Sequence, residues 1–301
     1  MSEPTVATSN AIATEGDSTI HDLGYRRYDG ERVGPSGAFF ALYTQGLRAM
    51  FGLGRPAKAK IIPVLAVGAT FLSALGTLLV ASATKGQVPI KYAQAIGGQF
   101  LLFVLFLAAQ IPEVISRDQQ HRTLPLLLTR DITRDRYALA RFATIFSAVF
   151  AVALAPMLLL YIGEVGVATD PAAAFRTMGT RIWPILSLAT LCAAAMSGLC
   201  SALAAWTPRR AYATAAIFGT FLLLAAISSG VAAVTGTSAR TAELIDPIRS
   251  LRTLSLVLFD ETTRGMELDP PLALSAYVLQ MLGIGVAGLT LLLWRMRRIR
   301  V

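Results

Sequence analysis

The sequence predicts an all-α integral membrane protein that crosses the membrane six times. More than half of its 301 residues (54%) are hydrophobic, and only 15% are charged. Six apolar runs approach or exceed the roughly 20 residues that a helix needs to cross a bilayer. A single run would also fit a buried helix of a water-soluble protein, but six in a chain of this length exclude that class. We place the spans near residues 61–83, 94–111, 138–162, 182–206, 211–234 and 272–294.

Two segments precede the six-span domain, which covers residues 61–301. Residues 1–34 are polar and rich in Ser, Thr, Gly and acidic residues, which predicts a flexible cytoplasmic tail. This stretch lacks the basic-then-apolar plan of a signal peptide, so we expect no cleavage. Residues 35–60 carry large apolar residues at helical spacing from Phe39 to Phe51, followed by three basic residues. That pattern predicts an amphipathic helix lying in the inner membrane interface.

The connection between the second and third spans, residues 112–141, is rich in charge. Ten of its thirty residues are charged, yet it also contains the apolar patch Leu124–Leu128. A simple connection between two helices needs only a few polar residues. We therefore expect this segment to fold at the membrane surface and to contact a partner, so that force passes between the two.

The connection between the fifth and sixth spans, residues 235–271, also contains a helix signal. Asp246 and Pro247 form a favourable pair of N-cap and first-turn residues, and apolar residues follow on one helical face. We predict a short helix at the outer surface. The acidic residues further along are widely spread, so we expect solvated carboxylates there rather than a metal site. They are Asp260, Glu261, Glu267 and Asp269.

The basic residues predict the orientation. Of the 27 Lys and Arg residues, 19 fall on the side that carries both chain ends. Because Lys and Arg accumulate on the cytoplasmic side of membrane proteins, we expect both termini in the cytoplasm. We further expect the chain to lie in a bacterial plasma (inner) membrane. The net charge of +9 follows from this bias, so no nucleic-acid partner is expected. Basic residues near the bilayer are also expected to contact anionic membrane lipid.

The residues give no reason to expect catalysis or a metal site. No Asp, Glu, Lys, Arg or His falls in the middle of a predicted span, where its insertion costs about 2.5–3.5 kcal/mol and usually serves ion or proton movement. Cys192 and Cys200 are eight residues apart on one helix, about 12 Å, which exceeds disulfide reach. The P-loop pattern G-x-x-x-x-G-K-[ST] is absent. We therefore expect no enzyme activity and no cofactor in this chain, and any energy source to lie on another subunit.

Residues 115–141, ISRDQQHRTLPLLLTRDITRDRYALAR, resemble the cytoplasmic loop of type-2 ABC transporter permeases. Those loops commonly have a charged helix, a Gly-Thr-Leu-x-x-Leu-Leu run, a turn with Pro-Ile/Val-Ser/Thr-Arg, and a basic residue that opens the third span. Here Arg122 replaces the usual Gly and Asp131 replaces the usual Pro. The matching residues are Thr123, Leu124, Leu127, Leu128, Ile132, Thr133, Arg134 and Arg141.

The resemblance implies a permease that works with a separate ATPase. In this family two permease chains, identical or related, pair with two ATPase subunits, which bind ATP and Mg²⁺. The loop after the second span forms a coupling helix that sits in a groove of the ATPase, which corresponds to about residues 115–128 here. The implied ATPase contacts are Glu113, Arg117, Asp118, Arg122, Thr123, Leu124, Leu127 and Leu128.

The resemblance also suggests a substrate path. The second span lines the dimer interface in resembling proteins, which makes Gln99 and Gln110 the candidate path residues. Most Ser and Thr residues of the spans instead fit ordinary helix–helix contacts. A mainly apolar, uncharged path suits a lipophilic or amphipathic substrate.

Two functions remain open. The first is ATP-driven export of such a substrate across the plasma membrane. The alternative is an ABC mechanotransmitter, which acts on an extracytoplasmic partner without moving a solute. A continuous cavity at the dimer axis favours export, whereas an exposed docking surface between the fifth and sixth spans favours the alternative. An unpowered channel or scaffold leaves the charged segment unexplained.

Overall fold

The computed structural model describes residues 34–54, 57–84, 90–93, 100–121, 132–168, 170–235, 239–261 and 272–299. The predicted tail, apart from Gly34, lies outside the described residues. The same holds for the apolar patch Leu124–Leu128 and for the first residues of the predicted second span.

Every regular element in these ranges is helical. A single 3₁₀ turn, Gly179–Arg181, joins α6 to α7. In chain order the helices are α1 (Pro35–Met50), α2 (Ala57–Ala83), α3 (Phe100–Val114), α4 (Ser116–Gln120), α5 (Arg134–Val167), α6 (Pro171–Met178), α7 (Ile182–Trp206), α8 (Arg210–Thr235), α9 (Ala239–Glu243), α10 (Pro247–Leu258) and α11 (Leu274–Arg298).

Six of the helices carry stretches that are long and apolar enough to cross a membrane. They are α2, α3, α5, α7, α8 and α11. This confirms the prediction of an all-helical, multi-pass membrane protein. The assignments of α1, α4 and α10 as interfacial, coupling and outer helices remain predictions.

The third span is longer than its hydropathy pattern predicts. Helix α5 has 34 residues, or about 51 Å at 1.5 Å per residue, against a hydrocarbon core of about 30 Å. It begins at Arg134 rather than near residue 138, and Thr133 caps it by accepting the N–H of Arg136. Charged residues lower the mean hydropathy of the first two turns, which hides them from a search for apolar runs. Those turns carry Tyr137 and Arg141 at the end of the bundle.

Helix α6, between the third and fourth spans, was not predicted. The Asp170 carboxylate caps it by accepting two backbone N–H groups of the first turn, at 3.0 and 3.1 Å. Pro171 occupies that first turn. The same Asp-Pro pair starts α10 at Asp246. The signal for α6 was therefore present in the sequence.

Helix α7 lies at the centre of the bundle, where it packs against α3, α5 and α11. Most of α3 and α7 is buried, whereas α2 and α8 expose most of their apolar surface. In a membrane those exposed faces contact lipid or another protein. The core is therefore built around the second and fourth spans.

Helices α7 and α11 cross with their backbones almost in contact. A Cβ added to Gly198 would lie 2.6 Å from the carbonyl oxygen of Gly285, and one added to Gly288 would lie 2.1 Å from the carbonyl carbon of Gly198. Small residues permit such close approach between membrane helices, where packing replaces the hydrophobic effect as the source of association. This crossing requires glycine at these positions.

Candidate functional site

One end of the bundle carries most of the described basic residues, and we call it the basic end. It comprises α1, α4, the last turns of α3, α7 and α11, and the first turns of α5 and α8. The predicted contact residues that the structure describes all lie here.

A buried charge pair fixes α4 to α5. The Asp118 carboxylate accepts hydrogen bonds from the Arg141 guanidinium at 2.5 Å and from the Tyr137 hydroxyl at 2.7 Å. The Arg141 side chain is only 3% exposed, and its guanidinium lies 5.4 Å from the centre of the Tyr137 ring. A charge buried to this degree is tolerated when it is paired and hydrogen-bonded. These three side chains therefore hold α4 in one position against α5.

The same region of α5 holds α1. Arg141 donates to the carbonyl of Leu42 at 3.5 Å, and the Thr144 hydroxyl donates to the carbonyl of Tyr43 at 3.3 Å. The Tyr43 hydroxyl donates in turn to Ser147 at 3.0 Å. Arg141 therefore contacts both α1 and α4, and it links them through α5.

Helix α4 is also attached to the end of α7. The Ser116 hydroxyl donates to the carbonyl of Ala204 at 3.1 Å, and the Gln119 amide donates to the carbonyl of Ala205 at 3.3 Å. Carbonyls in the last turn of a helix have no partner within the helix. Side chains of α4 thus donate to carbonyls at the end of α7 that have no donor within that helix.

Glu113, in the last turn of α3, connects this region to α8. Its carboxylate pairs with Arg210 in the first turn of α8 and lies 3.6 Å from the Arg117 guanidinium. The Glu113 side chain is buried, so the pair with Arg210 is shielded from water on one side.

Helices α5 and α11 are joined by an exposed pair. Arg297 donates two hydrogen bonds to Asp135, at 2.8 and 2.9 Å, and Arg134 donates to the carbonyl of Arg297 at 2.8 Å. Because these side chains are open to water, the pair contributes little to the stability of the fold. The buried contacts of α4 described above contribute more to the stability of this end.

These buried contacts attach α4 to the third and fourth spans and, through Glu113, to the fifth.

The structure describes four of the ten predicted site residues. Glu113, Arg117 and Asp118 lie in the intramolecular pairs given above, and the Arg117 side chain is also 51% exposed to solvent. Gln110 is buried inside α3. Their contacts with an ATPase or a substrate remain predictions. The other six lie outside the described residues: Gln99, Arg122, Thr123, Leu124, Leu127 and Leu128.

The opposite end of the bundle has its own polar cluster, centred on Tyr92. The Tyr92 hydroxyl donates to Glu164 at 2.6 Å, Arg181 pairs with the same carboxylate at 2.5 Å, and the Tyr92 ring stacks on Phe259 at 4.9 Å. Glu261 accepts the backbone N–H of Tyr92. Burial, together with the neighbouring Glu164, raises the pKa of Tyr92, so its hydroxyl stays a hydrogen-bond donor.

Helices α9 and α10 are held on the spans at this end. Ser228 of α8 donates to the carbonyl of Ala242 in α9 at 2.8 Å and accepts from Arg249 of α10 at 3.2 Å. Tyr277 of α11 donates to Glu243 at 3.0 Å. The connection between the fifth and sixth spans is therefore folded onto the bundle in its described part.

An apolar pocket lies inside the bundle. Its volume is about 40 Å³, well below the roughly 300–1,000 Å³ of typical ligand pockets. Gln110 is not among its lining residues, so the pocket gives no support to a path through that residue. It is lined by Thr70, Phe100, Phe103, Val152, Ala153, Pro156, Met157, Leu188, Cys192 and Leu251.

Sequence reasoning missed the roles of Tyr137 and Tyr92. Tyr137 stands four residues before Arg141, and this spacing puts the two on one face of a helix. A lone arginine at the edge of an apolar run, preceded one turn earlier by a tyrosine, was the available signal. Tyr92 gave no comparable signal, because its partners Glu164 and Arg181 are distant in sequence and meet it only in the folded chain.

Comparison with models of known protein families gives no match, and comparison with curated proteins also gives none. The function is therefore argued from the site and from the resemblance of residues 115–141.

Proposed function

We propose that this protein is the membrane-spanning permease subunit of an ATP-driven ABC exporter. Two permease chains pair with two copies of a separate ATPase, which supplies ATP and Mg²⁺ binding. The basic end faces the cytoplasm, α1 lies in the inner interface, and α4 begins the coupling segment. The substrate is lipophilic or amphipathic.

The position and attachments of α4 carry this proposal. It follows the second span directly, separated from α3 only by Ile115. Its side chains bond to α5 through Asp118 and to α7 through Ser116 and Gln119. A segment that merely joined two spans would need none of these contacts, whereas a segment that transmits displacement needs all of them.

The energetics of transport require such an attachment. Changing a two-state protein from mostly one state to mostly the other takes about 5 kcal/mol of differential binding. In this proposal that free energy comes from the ATPase, and it must reach the spans through a rigid element. The Asp118–Arg141 pair suits that role, because unpairing a buried charge costs about 3–5 kcal/mol.

Copurification tests the proposal. The full chain, tagged at one end and extracted from its native membrane in mild detergent, should emerge as a complex of two permease chains and two P-loop ATPase chains that hydrolyses Mg-ATP. The chain alone in liposomes should neither hydrolyse ATP nor move solute in response to a proton gradient. A folded chain that emerges without an ATPase, or that supports proton-driven flux by itself, would contradict the proposal.

The mechanotransmitter alternative has one observation in its favour, the folded element formed by α9 and α10 at the opposite end. The same reconstituted complex separates the two functions. An exporter moves a lipophilic fluorescent probe across the vesicle membrane when ATP is added. A mechanotransmitter hydrolyses ATP at a comparable rate and leaves the probe where it was.

A further inference from the structure

Two tryptophans are stacked at the basic end, where α7 and α11 finish. The Trp206 and Trp294 rings lie 5.8 Å apart, inclined by 24°, and the side chains are 42% and 45% exposed. Tryptophan near the end of a membrane-spanning helix lies at the level of the lipid headgroups, where its ring contacts apolar matter and its N–H contacts water. The pair therefore marks the depth of the headgroup layer at this end.

Three arginines lie close to the tryptophan pair in space or sequence. The Arg298 guanidinium lies 4.0 Å from the centre of a Trp294 ring, and Arg295 donates to the carbonyl of Ala205, next to Trp206, at 3.5 Å. Arg209 follows Trp206 by three residues and lies over the ring of Tyr212. An arginine stacked on an aromatic ring keeps its N–H donors directed outward in the plane of the guanidinium.

These three arginines have no acidic partner among the described residues, unlike several other arginines nearby. Arg141, Arg210 and Arg297 are each paired with a carboxylate. In the described ranges, by contrast, no carboxylate lies within ion-pairing distance of the three next to the tryptophans, which are Arg209, Arg295 and Arg298. The part of the chain that the structure describes therefore supplies no counter-charge to these arginines at headgroup depth.

We propose that the basic–aromatic patch binds the headgroup of an anionic phospholipid. The patch is defined by Trp206, Arg209, Trp294, Arg295 and Arg298. The arginines bind the lipid phosphate, and the tryptophans contact the glycerol and the upper acyl chain. A zwitterionic lipid also has a phosphate, but its own ammonium group cancels the charge that the patch complements.

Exposed apolar surface continues from the patch towards the membrane centre. Leu291 precedes Trp294 by one turn, on the same face of α11, and its side chain is largely exposed. An acyl chain that enters beside Trp294 thus has apolar surface to follow. An acidic segment of a protein partner would complement the charges of the arginines. It would not cover the apolar surface around Leu291, which would remain in contact with lipid.

Tryptophan fluorescence reads the patch directly, because the chain has only three tryptophans. The third tryptophan, Trp183, lies at the start of α7, at the opposite end of that helix from Trp206, and is exposed. In full-length Trp183→Phe protein, all tryptophan emission comes from the patch. The protein is reconstituted into phosphatidylcholine vesicles that contain a small, equal fraction of brominated phosphatidylglycerol or of brominated phosphatidylcholine, and quenching by the two lipids is compared.

We expect brominated phosphatidylglycerol to quench more strongly, with a preference that falls about fivefold for each of Arg298→Gln and Arg209→Gln, the effect of about one basic residue at a membrane surface. Arg298→Lys keeps the charge and should keep most of the preference. Arg176→Gln, an exposed arginine in α6 at the opposite end, should leave it unchanged.

Three outcomes would overturn the proposal. Equal quenching by the two lipids would show no preference for negative charge. A preference that survives both glutamine variants would place the lipid elsewhere. An equal loss of the preference in Arg176→Gln would show that it reflects the overall charge of the protein and not the patch.

Discussion

The two ends of the bundle use the same kinds of contact, with different degrees of burial. At the basic end Asp118 pairs with an arginine that is 3% exposed and lies between α1, α4 and α5. At the opposite end Glu164 pairs with Arg181, whose side chain is 44% exposed. At each end a tyrosine hydroxyl also donates to the carboxylate of the pair: Tyr137 to Asp118, and Tyr92 to Glu164.

The difference in burial sets what each cluster does for the fold. Leaving a buried charge without its partner is costly, whereas a pair with one half-exposed member contributes less to stability, because water screens it. At the basic end one buried arginine, Arg141, contacts α1 and α4 from α5. At the opposite end Arg181 contacts Glu164 and the Tyr92 ring from a half-exposed position.

Substitution of Arg141 and of Arg181, one at a time, should give the largest contrast between the two ends. Arg141→Met should lower the free energy of unfolding by at most about 3–5 kcal/mol, because the Asp118 carboxylate, only 18% exposed, then loses its ion-pair partner. Arg181→Met should lower it by less, because the Arg181 side chain is 44% exposed and water can take its place beside Glu164. Both are measured by SDS titration of the purified chain in mixed micelles. Equal losses would mean that the two ends do not differ as described.

The next largest effect on stability is expected from overpacking the contact between α1 and α5. A Cβ on Gly46 would lie 2.8 Å from the Thr144 methyl group and 3.0 Å from the Arg141 guanidinium, so Gly46→Leu should destabilise the contact of α1 with α5 by about 1–3 kcal/mol. Limited proteolysis should then cleave near residues 51–56 more rapidly. Gly68→Leu is the matched control, because open space surrounds that position in α2. If both variants were cleaved at the parental rate, α1 would not depend on this close contact.

The smallest of these effects concerns Tyr92. Tyr92→Phe removes one hydrogen bond to Glu164 and should cost about 1 kcal/mol. Because the pKa of Tyr92 is raised in the folded chain, its stabilisation is complete below the ordinary tyrosine pKa of about 10 and is lost above it, where the unfolded chain gives up the proton first. Unfolding measured against pH in the parent and in Tyr92→Phe gives the difference. A difference that grew with increasing pH would contradict the assignment.

The sequence predicted the six spans because a membrane helix is defined by local composition. It did not predict the clusters at the two ends, because their members are brought together by tertiary packing. Asp118 and Arg141 are 23 residues apart, and Tyr92 and Glu164 are 72 apart. The crossing at Gly198 and Gly288 was missed for the same reason. Glycines occur in most of the predicted spans, and only the packed structure distinguishes those that touch a neighbouring backbone.

The structure also changes how the coupling segment should be tested. The charge reversal Asp118→Arg, an obvious choice from the sequence, would place a second guanidinium against Arg141 in a buried site. A loss of activity in this variant would then result from unfolding as readily as from a lost contact with the ATPase. Leu127→Asp avoids this difficulty, since it alters the apolar patch and leaves the described contacts of α4 unchanged.

The most direct test of the coupling segment compares Leu127→Asp with Leu53→Asp, which alters an exposed leucine after α1 at the same end. Both full-length variants should insert and melt like the parent. We expect Leu127→Asp to lower the ATPase recovered per permease chain about tenfold, a change of about 1.4 kcal/mol in binding, and Leu53→Asp to leave it unchanged. Equal recovery of the ATPase with both variants and the parent would contradict the central claim that residues 112–141 join this protein to its energy source.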